Sequence, residues 1–202
     1  MRINLSGVKR AAGAAVVMAL ASLSAGVTHA QSGHDHGAAA ADKTATADQK
    51  RAANALVTTV RQATFRFLDV EVAKAEGYVS QFGCVSGSDF GAMGMHFVNG
   101  ALVGDGELDA TKPEIVIYEP QPNGKLKLVG ADFLVLADQW NATHDGPPEL
   151  MGQLFHLFDA PNRFGLPAFY TLHVWAWKDS PTGTFVNWHS NISCDAFNGE
   201  KH

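Results

Sequence analysis

The chain has 202 residues, 46% of them hydrophobic, two cysteines and a formal net charge of −5, which suits one domain with a substantial apolar core. Its acidic balance repels phosphate backbones and so argues against nucleic acid as a partner. It contains no C-x-x-C, no HExxH and no G-x-S-x-G, so thiol redox, zincin and serine-hydrolase chemistry lack their usual motifs.

Residues 1–30 read as an export signal. Arg2, Lys9 and Arg10 precede the apolar run AAGAAVVMALASLSAGV, and Thr28 to Ala30 place small residues before Gln31. An uncleaved anchor is the alternative, since the run is nearly long enough to span a bilayer. Cleavage would leave 12 Lys and Arg against 20 Asp and Glu, a net charge of −8, and no later membrane span. Residues 31–47 form a flexible, low-complexity linker in which His34-Asp35-His36 is at most a weak metal site.

A helix is expected from about Asp48 to Glu76, with a capping box at Thr46 and Gln49 and with Gly77 as its stop. Leu56, Val60, Ala63, Phe67 and Val70 form its apolar stripe. Tyr78 to Phe90 reads as irregular and holds Cys84. Gly91 to Asn99, GAMGMHFVN, reads as a strand with His96 opposite Met93 and Met95. Gly100 to Lys112 is a turn-rich connection; its Asp105, Glu107 and Asp109 lack EF-hand spacing. Glu114 to Glu119 and Leu126 to Ala137 make a hairpin across Pro120 to Gly124, where Asn-Gly marks the turn.

Asp138 to Pro167 is long for a connection. Its ELMGQLFHLF stretch, after Pro147-Pro148, suggests a short helix packed as a lid through Leu150, Met151, Leu154, Leu157 and Phe158. The central strand lies in Leu166 to Asp179, LPAFYTLHVWAWKD. Period 2 sets Phe169, Thr171, His173, Trp175 and Trp177 on one face and Tyr170, Leu172, Val174 and Ala176 on the other. The chain then ends with FVNWHSNISC.

In an exported protein, Cys84 and Cys194 are expected to form a disulfide. Among the histidines of the folded part, His96 and His173 are both mid-strand between apolar residues. If they share a face, they supply two imidazoles to Zn²⁺ or Cu²⁺, with His156, His189 or Glu119 as a third ligand. The alternative is two core histidines, each bonded to a backbone carbonyl. Met93 and Met95 beside His96 raise a soft-metal or haem site, but strand parity turns both away and favours packing. Glu119, Asp132 and Glu149 are available carboxylates, with nothing in their spacing to select them for glycosidase work.

From Arg66 to Cys194 the chain carries GAMGMHFVNG, KPEIVIYEP, LVGADFLVLADQW, PPELMGQLF, LPAFYTLHVWAWKDSPTGTFVNWH and SNISC. In these it resembles a family of uncharacterised exported bacterial proteins. The resemblance implies a secreted or periplasmic setting and carries over no catalytic role. It departs from the family pattern, Trp-Asn-Pro or Trp-His-Pro, at Trp188-His189-Ser190, which weakens His189 as a ligand.

The expected fold is α+β in one domain, residues 48–202. A long N-terminal helix packs on a twisted, mostly antiparallel sheet of four or five strands, cystatin-like or similar, curled to grip the helix. The leading function is a periplasmic ligand-binding protein with a histidine-centred pocket for a small molecule or a transition metal. Two alternatives stand beside it: an enzyme using His173 or His96 as general base, and a structural or interaction protein without a site.

Overall fold

The computed structural model describes residues 45–87 and 89–199; the expected export signal and the His34-Asp35-His36 motif lie outside them. Helix α1, Ala47–Thr64, begins where the capping box places it. Thr46 Oγ1 accepts from the Gln49 amide at 3.2 Å, and Gln49 Oε1 accepts from the Thr46 amide at 2.8 Å. The helix does not continue to Glu76. After Thr64 the chain tightens into a 3₁₀ turn, Phe65–Leu68, and a second helix α2, Val70–Ala75, starts at Asp69, whose carboxylate caps the Glu71 amide. Apolar spacing runs through this break unchanged: Leu56, Val60 and Phe67 are all buried. An aspartate acting as an internal N-cap was the signal against one long helix. No helix among the described residues is long and apolar enough to cross a membrane.

Strands β1 (Tyr78–Gly87) and β2 (Gly91–Asn99) form a hairpin, and the short helix α3 (Gly100–Asp105) leads on to β3 (Ile115–Pro120) and β4 (Leu126–Leu136). A further short helix α4 (Ala137–Asn141) precedes a two-stranded hairpin, β5 (Glu149–Leu150) with β6 (Gln153–Leu154), then β7 (His156–Phe158) and β8 (Phe169–Val174). Six of these make one sheet in the order β1-β2-β3-β4-β8-β7, antiparallel throughout.

Six strands replace the four or five expected, for two local reasons. The Gly/Ser-rich stretch after Tyr78 pairs fully with β2; its irregularity is confined to Phe82-Gly83, both at φ +61°, where the register steps from Gln81↔His96 to Cys84↔Met95. The stretch after Pro148 is not a helix. Met151 (φ +49°) and Gly152 (φ +82°) turn the chain back as a two-residue hairpin loop, and the next residues add β7 to the sheet edge. Leu154 and Leu157 are consequently exposed rather than packed as a lid, and Phe155 is buried in their place.

The alternation read in β8 sorts its two faces as far as His173. Leu172, Val174 and Ala176 pack with Leu56 and Val60 of α1 and with Ala131 and Phe133 of β4. Phe169, Thr171 and His173 face the other way and line a cavity. Past the end of β8 the two tryptophans go elsewhere: Trp175 Nε1 donates to the Val186 carbonyl at 2.7 Å, and Trp177 Nε1 to Thr64 Oγ1 at 2.9 Å.

Among the described residues the C-terminal segment forms no regular strand. It is pinned by the Cys84–Cys194 disulfide, with Cα atoms 5.8 Å apart, and by Glu119, whose carboxylate takes Lys178 Nζ at 2.8 Å on both oxygens and the Ser193 amide at 3.2 Å. Two outcomes follow for stability. Phe67→Ala should cost about 3–5 kcal/mol in a denaturant melt, because the ring is buried between Tyr78 and the sheet. Replacing both cysteines with serine should lower stability by up to about 4–5 kcal/mol, since the bond spans 110 residues. A loss under 1 kcal/mol, on the scale of ordinary surface changes, would remove the tail clamp from any account of the fold.

Candidate metal centre

His96 sits mid-way along β2, Asp132 in β4 and His173 in β8. Asp132 and His173 are directly paired across strands, while His96 pairs with Ile117 of β3. On a flat sheet, β2 and β8 would lie three strand spacings apart, about 14 Å at ~4.8 Å each. Yet His96 Nε2 and His173 Nε2 are 3.5 Å apart. Side chains from strands so far apart converge only on the concave face of a curled sheet. The concave side therefore holds the histidines, and α1 packs on the opposite face, so the sheet does not grip the helix as expected.

Donor atoms of His96, Asp132 and His173 all lie within 4.8 Å of one another, and no other group of three His, Cys, Asp or Glu among the described residues does this. All three are buried. Thr171 Oγ1 donates to Asp132 Oδ1. His173 Nδ1 lies 3.4 Å from the same oxygen without the alignment of a hydrogen bond, and His96 Nδ1 is likewise unbonded. The two Nε2 atoms thus share one long contact; the Gly94 backbone lies by the His96 ring and the Asn187 side chain by His173, with Asn187 Oδ1 itself buried and unbonded. Buried polar groups normally find partners, so this concentration calls for an explanation.

Burial sets the protonation states. Loss of solvent pushes His96 down to about 4, helped by His173 and opposed by Asp132. It pushes His173 down to about 3, helped by His156 and opposed by Asn187. Asp132 is raised by burial to about 6, against the pull of His96 and Thr171. At neutral pH the cluster is two neutral imidazoles and one carboxylate, which is the protonation state that metal ligation needs.

The cluster opens on a cavity of about 30 Å³, room for one or two waters at ~10–15 Å³ each. Apart from Thr171, apolar side chains make up its remainder, with Phe158 and Phe169 stacked at 5.1 Å and Phe82 and Phe164 tilted against this group. Phe82 holds a left-handed backbone, a costly conformation for an aromatic residue, and its ring meets Phe164 at 5.5 Å. The covering loop, residues 159–168, is organised by Asn162, which bonds the Asp159 and Leu166 carbonyls and the Phe164 and Leu166 amides.

The other proposed ligands fall outside the cluster. His156 is exposed on β7, beside Thr171. Glu119 is taken by Lys178. His189 is a satisfied core residue: Nδ1 accepts from the Asn191 amide at 3.1 Å, and Nε2 lies 3.4 Å from the Lys178 carbonyl. The carboxylates of Asp105 and Asp109 cap the amides of Glu107 and Thr111 in their own turns. Asp132, which its spacing does not select, has another sequence signal: it is one carboxylate inside the apolar run LVGADFLVL, where a buried charge demands a partner.

The linked stability has a definite sign. Each imidazole lowered from 6.5 contributes stability above about pH 6.5 that is lost as pH falls toward 4. Asp132, raised above 3.8, acts oppositely; its buried charge costs stability above about pH 6, and acid relieves that cost. In an NMR titration of metal-free protein, the rings of His96 and His173 should keep the signals of neutral imidazole from pH 7.5 to about 5, with only a small step near 6 as Asp132 takes up its proton. A midpoint near 6.5 for either ring would mean that water reaches it freely. Compared with protein-family models, curated proteins and solved structures, the chain shows no match.

Proposed function

We propose that the protein is an exported ligand-binding protein whose His96, Asp132 and His173 hold a transition-metal ion of the zinc and copper class. The observation that carries this reading is the 3.5 Å Nε2–Nε2 approach of two buried imidazoles. Two nitrogens bound to one ion at ~2.0–2.1 Å in tetrahedral geometry lie about 3.4 Å apart. Two imidazoles with one carboxylate suit Zn or Cu far better than the all-oxygen shells of Ca²⁺ and Mg²⁺. With both Nε2 atoms on the ion, each Nδ1 carries the proton.

A general base is the weaker reading of the same residues. Imidazoles held near 3 and 4 lie far below the pKa that proton abstraction at neutral pH favours. A periplasmic setting is supported by the disulfide, a bond of oxidising compartments, and by the family resemblance.

Titration calorimetry with Zn²⁺ on the metal-free mature chain should give one tight site. Metal at a hundredfold excess over Kd should stabilise the fold by about 2.7 kcal/mol. His96→Ala and His173→Ala should each weaken binding by roughly 100-fold or more, beyond the 10–100-fold typical of residues that merely support ligands. Replacing His34 and His36 should change it little. Unchanged affinity in both His96→Ala and His173→Ala would place the metal elsewhere.

A further inference from the structure

β2 carries an irregularity beside His96. Along the β1–β2 pair, Val85 opposes Gly94 and Ser86 opposes Ala92, so Met93 is the extra residue of a bulge. Gly94 makes the bulge with φ +85°, and a Cβ there would meet the Tyr118 carbonyl oxygen at 2.8 Å, so the position admits glycine alone. The bulge breaks the alternation that would turn Met93 away from His96. Met93 is buried, lies outside both apolar clusters of the fold, and lines the same cavity as His96 and His173. Met95, by contrast, stays in the main core and pairs with Tyr118. Bulges beside sites commonly re-aim one side chain in this way.

We propose that Met93 is a thioether ligand of the same centre and that the centre is selective for monovalent copper. This rests on the metal-binding reading above. The donor set becomes two imidazoles, one thioether and one carboxylate, and soft sulfur favours Cu(I) over Zn(II). Charge points the same way. Asp132 is the one carboxylate among the described residues that line the cavity. A monovalent ion beside it leaves the buried site neutral, whereas a divalent ion leaves an uncompensated charge among phenyl rings.

The test is chelator competition for Cu(I), held reduced by ascorbate so that the disulfide survives, in parallel with Zn²⁺ titration. Wild type, Met93→Leu and Met95→Leu are compared in the mature chain with His34 and His36 replaced by alanine. Met93→Leu should weaken Cu(I) binding about tenfold or more and leave Zn²⁺ within about twofold, while Met95→Leu changes neither. Equal loss of both metals, or of neither, in Met93→Leu overturns the proposal. Wild type that binds Zn²⁺ but not Cu(I) overturns it while leaving the metal-binding reading intact; wild type that binds neither overturns both. Should Met93→Leu fail to fold, X-ray absorption on the wild-type Cu(I) complex decides: a sulfur scatterer supports ligation, and a shell of nitrogen and oxygen alone overturns it.

Discussion

The curl of the sheet is the constraint on which the site depends. His96 and His173 come from strands separated by two others, and only curvature brings their ring nitrogens to 3.5 Å. The devices that bend the sheet are local. Bulges interrupt β1 against β2 at Phe82-Gly83 and at Met93, and β3 against β4 between Ile117 and Tyr118. Close backbone approach at Gly130, where a Cβ would meet the Val174 carbonyl at 2.7 Å, lets β4 and β8 cross tightly. Each is a feature that strengthens twist or permits a bend. The two faces then take different burdens. The outer face packs against α1, and the inner face sets its polar groups among buried apolar residues such as Ile115, Leu134 and Phe169.

Holding the curl requires that the sheet ends not drift apart, and the C-terminal segment does this without being a strand. The disulfide ties it to β1, Glu119 with Lys178 ties it to the end of β3, and the His189 backbone bridges to Ala92 in β2. The Glu119–Lys178 pair is only partly exposed and accepts a further backbone amide, so it fixes position more firmly than an exposed pair would. This explains why His189, an attractive ligand by type, serves as structure: its ring nitrogens engage the same segment.

Much of this was legible from residue patterns. The capping box at Thr46, the strand Gly91–Asn99 and the Asn-Gly hairpin follow from local rules of short range, and the disulfide from cysteine count and compartment, whereas the shared face of His96 and His173 stood in the sequence only as a condition. What escaped was non-local or depended on a few backbone angles. Asp69 as an internal cap, Met151-Gly152 as a turn and Phe82-Gly83 as a bulge each change an element through one side-chain bond or a pair of positive φ angles. Periodicity averages over such events. The parity error at Met93 has the same origin, since one inserted residue reverses every side chain beyond it. Asp132 was missed as a partner because pairing across β4 and β8 is a matter of register, which composition does not encode.

The energetics of the inner face bear on why such a cluster exists at all. Two imidazoles and a carboxylate are taken from water into a cavity otherwise walled by phenylalanine, leucine, isoleucine and methionine. Burial opposes the charged form of each group, and the Gly94 backbone by His96 and the Asn187 side chain by His173 offset that cost only in part. Exchanging buried ionic groups for apolar residues of similar volume often leaves stability unchanged or raises it, so such groups are weak evidence of a gain in stability. Departures of this kind from local consistency concentrate at functional sites. Phe82 adds its own cost through a left-handed backbone that sets its ring against Phe164 over the cavity. A core histidine satisfied by a carbonyl would need neither the second imidazole, nor the carboxylate, nor the left-handed phenylalanine that lines the same cavity.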